Sequence, residues 1–294
     1  MVWSLFPEIE RVNIPQRRTI SAIEEADSVA ADTRKRWNLG SDALENVTQT
    51  LETHGAMVVH YNQQSTARFD GLSALVNKRW PMLIVNSNVT ADRLRFDLAH
   101  ELGHILMDTS SLGDEKAQEF AAHRFASSFL IPGSVLKNEI GIKRQNLSLS
   151  ELLLLKEKYG VSVGALLYAS RAHGIVTDSL YTSLQKQLSA RGWRKLEPAV
   201  FGGNEQPARM RQLVTRAVAE NLMGVREAAL LFPDMAAELH REFPHVEGPA
   251  EKLRKMPKKE RDAILLKAAE AAAIEYATNP DLIVGDADGY YEYN

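Results

Sequence analysis

Apolar positions along the chain follow two rhythms, and the change between them predicts the order of elements. Ile23, Ala26, Ala30 and Trp37 recur at helical spacing between Ile20 and Trp37, with Gly40 just beyond, so this stretch predicts a helix. A second helix is expected from Ser41 to Thr53, stopping near Gly55. The rhythm then shortens. Ala56 to Tyr61, Gly71 to Val76 and Met82 to Asn86 are compact runs rich in β-branched residues and predict three strands, the last two joined through residues 77–81. Helical spacing returns with Leu98, Leu102, Ile105 and Leu106, behind Thr90 as an expected N-cap and Asp92 in the first turn.

Helices dominate from there. Glu115 to Leu130 is one, closed by Ile131-Pro132-Gly133, and a short one follows near Val135 to Ile140. Leu149 to Tyr159 and Val163 to Ala172 flank Tyr159-Gly160-Val161-Ser162, and Ser179 to Arg191 ends at Gly192. Beyond Pro207 the pattern is helical throughout: Arg209 to Met223, Val225 to Leu231, Pro233 to Phe243 and Pro257 to Thr278. The fold class expected is α+β, a small N-terminal sheet followed by helices. The organisation expected is an irregular arm over 1–19, one domain over 20–200, a linker or long loop at Gly202 to Pro207, a helical region over 207–278 and a mobile acidic tail over 279–294 that carries Tyr290, Tyr291 and Tyr293.

Composition narrows the function classes. In 294 residues, 45% hydrophobic and 25% charged positions are those of an ordinary globular protein, and a net charge of -3 gives no general pull toward nucleic acid or membrane. No apolar run is long enough to span a bilayer, and the N-terminus lacks the basic-then-apolar order of a signal peptide, so a cytoplasmic protein without membrane partners is expected. There is no cysteine, which removes disulfides, thiolate metal sites and thiol nucleophiles together.

The chemistry concentrates in Asp97-Leu98-Ala99-His100-Glu101-Leu102-Gly103-His104. Four residues apart on a helix, His100 and His104 project from one face, where two imidazoles can hold a metal ion with Glu101 beside it as general base for a water. Such a pentad arises by chance in roughly one chain in a hundred of this size, so its surroundings matter. A catalytic zinc takes three protein ligands. Glu119 is the best-placed third, fifteen residues beyond His104 on the next helix. Asp114 and Glu115 are alternatives, at a helix start where acidic residues also complement the helix dipole. His123, one turn after Glu119, could accept a hydrogen bond from a ligand histidine or polarise a substrate, and Arg93 is a second candidate for transition-state support.

Several stretches together resemble the ImmA/IrrE family of metallo-endopeptidases, gluzincin-like enzymes: Phe69-Asp70-Gly71-Leu72-Ser73 with Asn86, Arg93 to His104, Glu119 to Ala126 with Leu130-Ile131-Pro132, and Leu155 to Ser162 with Arg191 to Arg194 and Glu197-Pro198. The likeness covers roughly residues 20–200. It implies a zincin-like domain, a zinc ion (or manganese) on His100, His104 and Glu119, and hydrolysis of a peptide bond with Glu101 as proton carrier. It also implies a helix-turn-helix transcriptional repressor of a phage, mobile-element, DNA-damage or anti-phage defence operon as substrate, under control of a regulatory ligand or a nucleic-acid signal. The chain departs from the family in carrying His123 where asparagine is common, and residues 1–19 are too short for the helix-turn-helix module that many relatives carry in front.

Two further readings are set against that one. Leu149 to Ala172 has the outline of a helix-turn-helix, but its second helix offers only Arg171 to DNA, and the cations from Lys252 to Arg261 are interrupted by Glu260. The alternative function is a non-proteolytic metal-binding regulator that binds DNA or a repressor, for which Glu101 beside His100 would have no use.

Overall fold

The computed structural model describes residues 5–6, 13–62, 69–76 and 80–278; the expected tail over 279–294 lies outside them. The chain divides into two compact units, one over Glu8–Met210 and the other made of the first residues and everything from Arg211 onward.

In the first unit, β1 (Arg18–Thr19) precedes α1 (Glu25–Arg36), α2 (Val47–Thr53) and β2 (Met57–Tyr61). The helices start later than the sequence pattern predicts, for local reasons. The Ile20 N–H donates to Asp108 O at 3.0 Å and so belongs to a strand ladder, and the Glu25 carboxylate takes the free N–H groups of Ser21 and Ala22. Arg34 is buried and donates to the carbonyls of Gly40 and Asp42, which holds 40–46 out of helix until Asn46 caps α2 by accepting from Gln49 N at 2.7 Å.

β3 (Gly71–Val76) and β4 (Trp80–Asn86) complete a three-stranded sheet in the order β2-β4-β3. β2 runs parallel to β4 with Met57 opposite Met82, and β3 runs antiparallel with Ser73 opposite Leu83. β4 alternates between buried and half-buried residues, so Leu83 and Val85 enter the core. β2 and β3 are the two edges of this sheet among the described residues, and β3 exposes Leu72 and Leu75.

α3 (Ala91–Leu106) is the central helix, with Leu94, Leu98, Ala99, Leu102 and Leu106 buried. Thr90 stands at its N-cap position in extended conformation, yet its side chain makes no cap, contrary to the sequence expectation. The chain leaves α3 directly into β5 (Met107–Asp108), which pairs with β1, and turns into α4 (Glu115–Leu130), capped by Asp114 accepting from Ala117 N at 2.7 Å. A Cβ on Gly103 would stand 3.1 Å from the Phe125 ring, so the absence of a side chain there lets α4 pack close across α3.

α5 (Gly133–Ile140), α6 (Leu149–Tyr159), α7 (Val163–Ala172) and α8 (Asp178–Ala190) follow. Gly160 ends α6 at φ +62°, and Arg95 of α3 lies against it so closely that any Cβ would clash. α6 and α7 do form a helix-turn-helix outline, but Val163, Leu166, Leu167, Ala169 and Ser170 bury α7 within the protein rather than present it to a groove. Gly202–Pro207 is irregular, as its composition predicts, but it is not a free tether. Glu205 is buried, accepts from Thr48 N at 2.9 Å, and lies 3.6 Å from Nε of the fully buried Arg95.

In the second unit, α9 (Arg209–Ala219) buries Leu213, Val214, Ala217 and Val218, while α10 (Val225–Leu231) and α11 (Ala236–Glu242) bury Val225, Ala228 and Leu239. α12 (Pro249–Lys255), which the apolar pattern does not predict, precedes the long α13 (Lys258–Thr278). No helix among the described residues is long and apolar enough to cross a membrane.

Candidate metal centre

His100 and His104 lie one turn apart on α3, and α4 brings Glu119 across to them. His104 Nε2 is 3.0 Å from His100 Nε2, Glu119 Oε2 is 3.2 Å from His100 Nε2, and Glu119 Oε1 is 3.4 Å from His104 Nε2. A tetrahedral ion with bonds of about 2.0–2.1 Å needs its ligands roughly 3.3 Å apart, so the three edges have the right length. The donor set is also that of a cation site. With their protons on Nδ1, the two imidazoles turn Nε2 lone pairs, together with a carboxylate oxygen, toward one another, and three acceptors so placed need a positive centre rather than each other. These three residues are the group of side chains that could hold a metal ion among the described residues.

Electrostatics keep His100 in the form a metal requires. His100 is pushed down to about 3, chiefly by burial and then by its neighbours His123, His104 and Arg93, so it stays neutral with a free lone pair. Burial also lowers His123.

Glu101 lines the same cleft as these histidines and meets the sheet edge. It is buried, and burial raises its pKa against the opposing effect of the Ser73 hydroxyl, which donates to Oε2 at 2.7 Å. A Cβ on Gly71 would sit 2.8 Å from Glu101 Oε1, so glycine there makes room for the carboxylate. Gly71 and Ser73 share one face of β3, two residues apart, and between them they seat Glu101. Neither stood out as a functional position in the sequence, although the predicted strand already placed them on one face.

The remaining candidates fall differently. His123 lines the same cleft, its ring 4.6 Å from that of His100 and 5.9 Å from that of Phe96. It makes no hydrogen bond to His100, whose Nδ1 is buried without a partner among the described residues. Arg93 also lines the cleft, but its guanidinium is held by Asp97 at 2.9 Å and by Asp70 at 3.2 Å. Asp97 is raised to about 7 by burial, which outweighs the attraction of Arg93. Asp114 is the cap of α4, and it and Glu115 stand outside the group at the centre.

The cleft has a volume of about 520 Å³ and is walled on one side by Phe69 to Ser73. A smaller apolar cavity of about 170 Å³, lined by Phe96, Phe120 and Tyr168 among others, opens beside His123. The model of the peptidase family M78, the IrrE N-terminal-like domain, matches residues 51–171, a stretch that runs from the end of α2 through α7 and holds the whole cleft. No curated protein matches the chain significantly. With the match laid over three candidate ligands and a seated glutamate, residues 51–171 form an IrrE N-terminal-like domain of peptidase family M78.

Proposed function

We propose that the chain is a zinc-dependent endopeptidase that cuts a specific protein, with a helix-turn-helix transcriptional repressor as its substrate. The observation that carries the reading is the placement of Glu101 between the three-ligand group on one side and the edge strand β3 on the other. An exposed edge can take an extended peptide as an added strand and so lay a scissile bond across the cleft.

His100, His104 and Glu119 would hold the ion, which when bound supplies Lewis acidity to the scissile carbonyl and to an attacking water. Glu101 takes the proton of that water and returns it to the leaving amine. Its raised pKa suits both halves of the cycle, since a base that later acts as an acid works best near neutral pH. Ser73 keeps the carboxylate turned to one rotamer, and Gly71 leaves the space it occupies. Zinc fits two imidazoles and a carboxylate without a thiolate, and manganese would also accept this set.

The test sets the purified chain against a panel of small helix-turn-helix repressors, beginning with any encoded beside its gene. Zinc-loaded protein should cut one of them into two discrete fragments, while Glu101→Gln should bind that repressor and the metal and leave it whole. Cleavage by the Gln variant, or an intact panel with the wild-type protein, removes the reading.

A further inference from the structure

A second cavity, of about 730 Å³, lies at the opposite end of α3 from the metal ligands. Its volume falls in the range of small-molecule sites, roughly 300–1,000 Å³. It is larger than the cleft, and the peptidase chemistry makes no use of it.

The lining has an uneven charge. Four cations contribute to it, Arg93, Lys156, Arg194 and Lys195, against two carboxylates, Asp92 and Glu197. Both carboxylates are already engaged, clamped on Lys156 Nζ at 2.9 and 2.7 Å. Arg194 donates only to the neutral amide of Gln185, at 3.1 Å, and Lys195 meets no carboxylate among the described residues. The wall is thus cationic in a chain of net charge -3. The lining also has apolar members, Phe96 and the half-buried indole of Trp193, over whose ring the Arg191 guanidinium lies 5.1 Å from the centroid. Ser162, Gly164 and Ala165 at the start of α7 also line the cavity, where the Val163 and Ala165 N–H groups are already taken by Glu197 and the Ser162 hydroxyl.

We propose that this cavity binds a phosphorylated small molecule of mononucleotide size, its phosphate on Arg194 and Lys195 and its planar ring against Trp193. Guanidinium and ammonium groups without carboxylate partners are what a phosphate recruits, and an indole offers a face to a heterocycle. The site has a route to the cleft. Arg93 lines both, and it joins α3 to Asp70 at the start of the strand edge, so an anion that draws on Arg93 bears on the seat of Glu101.

The experiment is calorimetric titration of the full-length protein with AMP, adenosine, ribose 5-phosphate, inorganic phosphate and a twelve-residue oligothymidine. AMP should bind with Kd below about 1 mM, and adenosine and ribose 5-phosphate at least tenfold more weakly. The double variant Arg194→Ala with Lys195→Ala should weaken AMP at least tenfold, at an unchanged melting temperature because both side chains are at the surface. Trp193→Leu should weaken AMP but leave inorganic phosphate unaltered. His104→Ala separates this site from the metal centre and should leave AMP binding intact. Loss of AMP binding in His104→Ala, indifference to the Arg194 and Lys195 pair, no AMP binding at about 1 mM, or binding of the oligonucleotide alone would each overturn the proposal.

Discussion

α3 carries a polar cluster at each end, and the two are built on opposite principles. Near its start, Lys156 sits between Asp92 and Glu197, one ammonium between two carboxylates, nearly all of it out of water. Burial alone would lower the lysine pKa, but the hydrogen bonds to Glu197 and Asp92 more than reverse this and raise it. Glu197 also accepts from Val163 N at 3.0 Å, so the donors and acceptors there largely satisfy one another. Near the other end, His100, His104 and Glu119 bring one potential ligand atom each within 4.8 Å of one another. A cluster that closes on itself is architecture. One that converges like on like is made for something that comes from outside.

The widest separation between the two should appear in catalysis. Glu101→Gln keeps the shape and the Ser73 contact but cannot carry a proton, so hydrolysis should fall by about a thousandfold or more, on the order of 4 kcal/mol or above, with metal content and melting temperature unchanged. Fragment formation under single-turnover conditions measures it. A residual rate within tenfold of wild type would mean that the glutamate serves the architecture.

The next largest effect lies at the other end. Lys156→Met leaves two buried carboxylates with no cation, which should cost about 3–5 kcal/mol of folding stability, measured by urea unfolding. His104→Ala removes a part-exposed ring at the open cleft, and the metal-free protein should lose under about 1 kcal/mol. Equal losses for the two substitutions would erase the contrast between self-satisfied and ligand-seeking clusters.

Metal removal sharpens it from the third direction. Zinc at a hundred times its dissociation constant should add about 2.7 kcal/mol to stability, and a chelator should remove this from the wild-type protein. The chelator should leave His104→Ala where it was. Any increment it removes from Lys156→Met, where that variant folds, should match the wild-type one.

How much of this the sequence disclosed follows the same division. His100, Glu101 and His104 are legible because a helix repeats locally, and four residues is one turn. α4, α6, α7 and α10 agree with the sequence pattern to within the residue, since each is bounded by a cap or stop of its own. The self-satisfied cluster was invisible. Asp92, Lys156 and Glu197 come from a helix start, a helix end and a loop, and nothing in their spacing says that they meet. Asp92 looked like an ordinary first-turn acid. Thr90 looked like a cap for the same reason, because the residue type is right and only the geometry shows that the hydroxyl is unused. The helices at the N-terminus were drawn too long because the competing partners, Asp108 for Ile20 and Arg34 for the carbonyls after Trp37, are remote or run against the helix direction.

The smallest predicted effect tests the hydrogen bond that joins Glu101 to the sheet edge. Ser73 donates to Glu101 at 2.7 Å, across twenty-eight residues of chain, and it is part-buried. The bond favours the charged carboxylate, which is the form that accepts a proton, and it fixes the rotamer beside the ligand group. Ser73→Ala should therefore cost about 1 kcal/mol, a several-fold fall in kcat/KM, with zinc affinity and melting temperature near those of wild type. Gly71→Ala gives the complementary reading at the next inward position, since its Cβ must displace the carboxylate rather than merely release it. If the serine change were silent and the glycine change severe, steric room alone would seat Glu101. If both are felt, with the glycine change the larger, strand β3 positions the base as well as offering an edge to the substrate, and the ligand-seeking cluster owes its chemistry to a residue pair outside both of its helices.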